Sequence, residues 1–315
     1  MIQDYVLIAL GNPGNLCAIL HTMYSQIDSN KRKTRMLIAI FCAFIIGLGW
    51  LGASYLGLGY ESVFLALIIS IVMTLVSYYK GDAIALRSSG AKEITKEQNP
   101  YVYRMVENLA IANGMPVPRV HIIDSPALNA FATGRDPEHA SIAVTTGLIA
   151  ALENEELEGV LAHELSHVKN YDIRVMTIVI VLVGAVSLLA DMFFRFGLFG
   201  GKRNSDNKGG GGVLAIVGLV LIILSPIIAE LIKLAVSRKR EYLADASGAL
   251  MTRYPEGLAK ALEKIQQSNI PLKTANSATA HLFISNPFKG KMFANAFSTH
   301  PPIEERIKRL RENIT

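Results

Sequence analysis

The segment with the clearest chemistry is His163-Glu164-Leu165-Ser166-His167, which carries two imidazoles four positions apart and a carboxylate between them. Residues four apart lie on one face of a helix, so both imidazoles can bind a single Zn²⁺ ion. The carboxylate of Glu164 can then take a proton from the water molecule that attacks a substrate. The segment therefore predicts a zinc metalloprotease with one Zn²⁺ per chain, in which His163 and His167 bind the metal and Glu164 is the base.

A third metal ligand must come from elsewhere in the chain, because catalytic zinc usually has three protein ligands and one open position. Glu241 stands out, since Asp245 follows it by four residues on the same predicted helical face, where an acid can orient a ligand histidine. A solvated charge run after a membrane helix is an equally good interpretation of that spacing. The other candidates are the remaining carboxylates and His121, His139, His281 and His300.

Hydrophobic periodicity predicts a mixed helical and stranded arrangement around this segment. Residues 153–169 form the helix that carries the two histidines, with acids early and a lysine late, as the helix dipole favours. Strands are predicted at 119–124, 129–133 and 141–146. Further helices are predicted at 99–113, 238–251, 255–267 and 303–310. The soluble part is therefore expected to be an α+β domain with a small β-sheet.

The composition indicates that part of the chain lies in lipid. The 315 residues are 51% hydrophobic and only 18% charged, against about 25% charged in typical soluble domains. Four segments approach the ~20 apolar residues that cross a bilayer, namely 36–60, 62–79, 175–199 and 213–236. We therefore expect a mainly α integral membrane protein with four transmembrane helices. A buried globular core is the alternative for the last two segments.

Basic residues flank these segments on one predicted side of the membrane. Clusters stand before the first span at 31–35, after the second at 80–87, before the third at 169–174 and after the fourth at 238–240. Positively charged flanks mark the cytoplasmic side, so the catalytic region and both termini are expected in the cytoplasm. The basic residues in the glycine-rich loop at 200–212 disagree in part. This distribution accounts for the net charge of +5 without a nucleic-acid partner.

The chain is expected to alternate membrane hairpins with two parts of one catalytic domain. The expected segments are an N-terminal cytoplasmic segment (1–35), a first transmembrane hairpin (36–79), a catalytic part with the motif helix (80–174), a second hairpin (175–236) and a catalytic part with the third ligand (237–315). The second hairpin would bring the two catalytic parts together at the membrane surface. The chain start lacks the basic residues and long apolar run of a cleavable signal, so a short amphipathic or surface segment is expected there.

Several motifs occur in a fixed order along the chain. The HExxH segment is followed, after a predicted membrane hairpin, by Ser237-Arg238-x-x-Glu241-Tyr242-x-Ala244-Asp245. Further characteristic segments stand at 129–134, 144–148 and 299–302, the last with Arg306. Together they resemble the HtpX family of membrane zinc proteases, which are relatives of the type I CAAX prenyl proteases. The resemblance extends from about residue 31 to residue 312.

This resemblance implies a zincin-like catalytic domain of the gluzincin type and a role for each residue at a matching position. His163, His167 and Glu241 would hold one Zn²⁺. Glu164 would be the general base, and Asp245 would stand behind the metal ligands.

Substrate contacts follow from the same resemblance. Asn129 and Ala130 would lie on a strand that pairs with an extended substrate through main-chain hydrogen bonds, which would explain weak sequence selectivity. His300 would stabilise the substrate carbonyl or the oxyanion, whereas without the resemblance a loop histidine is the better interpretation. His121 and His281 are expected to be structural.

The expected function is that of an integral-membrane zinc endopeptidase of the bacterial inner membrane. It would cut membrane or misfolded proteins at the cytoplasmic face, in protein quality control and the stress response. Its partners would be protein substrates and the lipid bilayer. A dedicated processing protease of the CAAX kind is an alternative, although those relatives resemble longer chains with more spans. A non-catalytic membrane scaffold stabilised by zinc is another, although a structural site has no need of Glu164.

Overall fold

The structure, a computed structural model, describes residues 13–55, 59–199, 238–275, 279–288 and 301–312. The fourth predicted membrane span and His300 lie outside these residues. Within them the protein is mostly helical and contains one four-stranded β-sheet.

Two long helices at the start of the chain pack against each other. Helix α1 spans Pro13–Tyr55 and helix α2 spans Glu61–Ser88. Their stretches Gln26–Leu51 and Glu61–Ser88 are long and apolar enough to cross a membrane. Residues 13–35 of the expected N-terminal segment are helical as part of α1, and residues 1–12 lie outside the described part of the chain. Proline suits a first helical position, because the N–H that it lacks has no partner within the helix.

The outward surface of α2 is strongly apolar. Phe64, Val72 and Leu75 each expose half or more of their surface. Such a broad exposed apolar face is unfavourable in water and favourable in lipid. Trp50 and Tyr60 are exposed near the ends of the two helices, where amphipathic rings prefer the interface between membrane and water.

A third long helix, α6, spans Asp172–Phe199 and packs its first half against this pair. Ile178 of α6 belongs to one buried cluster with Leu37 and Phe41 of α1. The third predicted span, 175–199, falls on α6, whose side chains are described as far as residue 185.

The sheet contains one parallel and two antiparallel strand pairs. Its strands are β1 (Ala91–Glu93), β2 (Arg119–Ile123), β3 (Ala130–Gly134) and β4 (Ala140–Thr145). Their order is β1-β2-β4-β3, and β2 runs parallel to β4. The three predicted strands are confirmed to within one residue. Strand β1 was not predicted, because its three residues carry no β-branched side chain and give no alternating pattern.

The remaining helices surround the one that carries the HExxH segment. They are α3 (Pro100–Ala112), α4 (Thr146–Ala151), α5 (Asn154–Lys169), α7 (Arg238–Thr252), α8 (Pro255–Gln267) and α9 (Ile303–Glu312). Helix α5 packs against β3, α7 and α8. The close approach of α7 depends on Gly248, where a Cβ atom would lie only 2.9 Å from the backbone nitrogen of His163.

Candidate metal centre

Helix α5 presents the three chemically active residues of the HExxH segment towards the interior. His163, Glu164 and His167 expose 1%, 2% and 5% of their surface. The first turn of α5 is held by Glu153, whose backbone N–H donates to the Glu156 carboxylate over 2.9 Å. The helix therefore buries its polar face against protein, which requires partners for every charged group on that face.

Helix α7 supplies the carboxylate that faces the two imidazoles. One oxygen of Glu241 lies 3.9 Å from Nε2 of His163, and the other lies 3.8 Å from Nε2 of His167. Ligand atoms bound tetrahedrally at about 2.1 Å are about 3.4 Å apart, so a contraction of about half an ångström would bring these atoms onto one cation. His163, His167 and Glu241 form the one such group of three that we find among the described residues.

Each imidazole is backed by a carboxylate at its other nitrogen. Nδ1 of His163 lies 3.0 Å from Asp245, and Nδ1 of His167 lies 3.0 Å from Asp172. A carboxylate at Nδ1 keeps the proton there and leaves Nε2 free to bind a metal. The donor set and its surroundings therefore fit a divalent metal that accepts nitrogen and oxygen ligands.

Asp172 was not identified from the sequence. It is the first residue of α6 and follows His167 by five positions, across the corner between α5 and α6. An acid just beyond a motif helix is a common sequence feature, so its position alone carried little information.

Arg306 is a second residue whose role the sequence did not predict. It is completely buried on α9, and its guanidinium donates two hydrogen bonds to Asp245, at 2.7 and 2.9 Å. A third hydrogen bond, at 3.2 Å, goes to the backbone oxygen of Ile284. Burial alone would raise the pKa of Asp245, but Arg306 and His163 hold it at about 2. Asp245 is therefore a carboxylate at neutral pH.

The three residues of the HExxH segment titrate differently in the metal-free protein. Burial lowers the pKa of His163 to about 4. Burial would also lower the pKa of His167, but its hydrogen bond with Asp172 and the nearby negative charges, Glu241 first, raise it to about 9. Burial raises the pKa of Glu164 to about 7, against the opposing effects of His167 and the backbone N–H of Ala132.

The two predicted substrate residues lie at the edge of the sheet next to this centre. Asn129 immediately precedes β3 and Ala130 begins it, and both are buried. The edge of β3 that faces away from β4 is occupied by the protein itself. The backbone N–H of Ile284 donates to the Ala130 oxygen over 3.0 Å, and the Asn129 amide donates to the Ser285 oxygen over 3.1 Å. The backbone N–H of Ala132 faces the Glu164 carboxylate.

The other histidines considered from the sequence do not join the centre. His121 and His281 are buried elsewhere in the domain, and Nε2 of His281 lies 3.4 Å from the backbone oxygen of Met176. His139 is half exposed and lies against Asp136. Arg240 is 4% exposed and lies 3.4 Å from Asp172, which is a structural position.

The fold and the site together are those of a membrane metalloendopeptidase, with an HExxH helix, a glutamate from a later helix and an apolar helical pair. Residues 96–314 match peptidase family M48, and the chain belongs to this family.

Relatives of the same kind cover nearly the whole chain. The protease HtpX homolog of Tropheryma whipplei (strain Twist) is 48% identical over 290 residues, which are 92% of this chain and 98% of that protein. The protease HtpX homolog of Dictyoglomus thermophilum is 46% identical over 290 residues, 92% of this chain and 94% of that protein. The expected resemblance to HtpX-type proteases is thereby confirmed.

The crystal structure of S. mikatae Ste24p aligns with 91% of this chain and 67% of its own length, at 20% identity and a TM-score of 0.49.

Proposed function

We propose that this protein is a zinc-dependent endopeptidase that cuts membrane-associated or misfolded proteins at the cytoplasmic face of a bacterial inner membrane. The observation that carries the proposal is the convergence of His163, His167 and Glu241 beside the buried carboxylate of Glu164. The relatives named as HtpX-type proteases support the same reaction class, and the quality-control role rests on the family resemblance.

In this proposal His163, His167 and Glu241 hold one Zn²⁺, and Asp245 and Asp172 keep the two imidazoles oriented. Zinc in such a site supplies a Lewis acid that polarises the scissile carbonyl and makes water more acidic. A structural zinc site has no use for a further carboxylate. The buried Glu164 therefore favours an enzyme over a scaffold.

Glu164 is proposed to move the protons of the reaction. Its carboxylate takes a proton from the attacking water and then gives it to the nitrogen of the departing amine. A base works best when its pKa lies near the working pH, and the pKa of Glu164 is about 7 in the metal-free site. His300 would assist at the carbonyl oxygen, a role that rests on the family resemblance alone.

The substrate is proposed to lie along β3 as an additional strand. Main-chain hydrogen bonds to a strand edge are independent of side chains, so they suit an enzyme that accepts many sequences. In this structure the backbone N–H of Ile284 donates to the Ala130 oxygen, and the Glu164 carboxylate accepts from the N–H of Ala132. A peptide that pairs with these groups must first displace the chain around Ile284.

The proposed chemistry is tested by removing and restoring the metal. Chelation of the purified protein in detergent should abolish cleavage of an unfolded probe such as casein, and one equivalent of zinc should restore it. Glu241→Ala should not recover at one equivalent, because it lacks the third ligand. Glu263→Ala, which removes a half-exposed carboxylate on α8, should recover like the native protein. Full cleavage by the chelated protein would refute the proposal.

A further inference from the structure

A polar side chain of the first membrane helix reaches the surroundings of the metal centre. Asn30 lies on α1, just before the basic cluster at 31–35 that precedes the first predicted span, and is 1% exposed. Its amide donates to a carboxylate oxygen of Asp172 over 2.7 Å and to the backbone oxygen of Asn170 over 2.9 Å. Asn30 and Asn170 are 140 positions apart in the sequence.

Asp172 is shared between Asn30 and the proposed metal ligand. One carboxylate oxygen lies 3.0 Å from Nδ1 of His167, and the other accepts the Asn30 amide. Arg240 of α7 lies 3.4 Å from this second oxygen. Because both oxygens are held, the carboxylate has one orientation, and that orientation sets the direction of the His167 ring.

Helix α1 also contacts the corner between α5 and α6, which immediately precedes Asp172. Tyr171 adopts a left-handed backbone conformation with φ of 59°, which is uncommon for a residue with a bulky side chain. The Asn30 amide holds the carbonyl of Asn170 just before this residue. Lys31 of α1 lies over the Tyr171 ring at 4.9 Å from its centre. Helix α1 therefore secures the corner at two adjacent residues.

The position of Asn30 is costly without these bonds. A buried amide without partners costs roughly 1–3 kcal/mol, and Asn30 is almost fully buried. A hydrogen bond to a carboxylate is stronger than one between neutral groups. The bond to Asp172 offsets the cost of burying the amide.

We propose that Asn30 is a positioning residue of the metal centre: through Asp172 it orients His167, so the first membrane helix forms part of the zinc site. The inference rests on the proposed role of His167 as a zinc ligand. Helix α1 then has a function beyond anchoring, because a displacement of α1 would move Asn30 and so change the orientation of His167 and the affinity for the metal.

The test replaces Asn30 by leucine, which has nearly the same volume and cannot donate. The matched control is Thr34→Val, on the same helix one turn later, where a buried hydroxyl without a hydrogen bond among the described residues is removed. Zinc affinity is measured by competition with a chromophoric chelator in detergent. We expect Asn30→Leu to weaken zinc binding by about tenfold, the lower end for partners behind a metal ligand, and Thr34→Val to leave it unchanged.

A spectroscopic measurement separates positioning from anchoring. At full cobalt occupancy, the visible absorption of Co²⁺ should differ between Asn30→Leu and the native protein, because the direction of the His167 ring changes. Native zinc affinity and a native cobalt spectrum in Asn30→Leu, even with a lower Tm, would overturn the inference. If the leucine variant does not fold, Asn30→Ala, which also removes the donor, is judged in the same way. Native metal affinity in His167→Ala would instead refute the proposed function.

Discussion

The two imidazoles of the centre have similar neighbours, but their pKa values are shifted in opposite directions. Both have a carboxylate 3.0 Å from Nδ1. Asp245, behind His163, is neutralised by Arg306, whereas Asp172, behind His167, is held mainly by the neutral amide of Asn30 and by a more distant Arg240. His167 therefore experiences more uncompensated negative charge, which accounts for its high pKa.

This asymmetry predicts a pH dependence of metal binding. The raised pKa of about 9 means that His167 carries a proton below pH 9 in the metal-free protein, and a metal must displace it. Apparent zinc affinity should therefore rise about tenfold per pH unit between pH 7.5 and 9 and then level off. Calorimetry at pH 8 in buffers of different ionisation enthalpy should show about one proton released. A flat affinity across this range would contradict the assignment.

Replacement of Arg306, which lies far along the chain from the HExxH segment, is expected to lower the free energy of unfolding strongly. Arg306→Leu leaves the Asp245 carboxylate buried without its cation, which typically lowers the free energy of unfolding by about 3–5 kcal/mol. Lys308→Ala removes an exposed ion pair on the same helix and should cost less than about 1 kcal/mol. Denaturant unfolding in detergent measures both values. Equal small losses would show that Asp245 does not depend on Arg306.

At the scale of elements, the site depends on contacts between segments that are distant in sequence. Helix α5 was predictable because its apolar residues recur at helical spacing and its polar motif is distinctive. The strands were predictable from β-branched runs such as 119–123. The pairing of His167 with Asp172 and of Asp245 with Arg306 was not, since it depends on a corner and on the packing of α9.

The segment that contains Ile284 is expected to be displaced when a substrate binds. Its N–H is bonded to the Ala130 oxygen at the edge of β3, which is the group that an extended peptide would use. When a peptide binds to the Glu164→Gln variant, amide hydrogen exchange should accelerate in residues 280–288. Exchange in α8 should stay unchanged, as an internal control. Unchanged or slower exchange in 280–288 would mean that the peptide binds elsewhere.

At the scale of the whole molecule, the catalytic domain and the membrane helices meet at the corner between α5 and α6. Helix α6 starts with Asp172 and continues into the cluster shared with α1. The proposed metal centre therefore lies where the domain that carries it joins the membrane helices. This position suits an enzyme whose substrates are proteins at the bilayer surface.

The proposed orientation predicts which surfaces a membrane-impermeant thiol reagent reaches. With Cys17 and Cys42 replaced by serine, Tyr60→Cys between the first two helices should be labelled from outside intact spheroplasts. Lys308→Cys on α9 should be labelled only after lysis, since the catalytic domain is expected in the cytoplasm. The opposite labelling pattern would contradict the proposed orientation in the membrane.

The most direct test of the central claim compares zinc content and cleavage in Glu164→Gln. The amide has nearly the same shape and cannot accept a proton, so the variant should keep one zinc per chain and lose cleavage by at least a hundredfold. Glu155→Gln, an exposed position on the same helix, should match the native protein in both. Native cleavage by Glu164→Gln with zinc bound would contradict the assignment of Glu164 as the base.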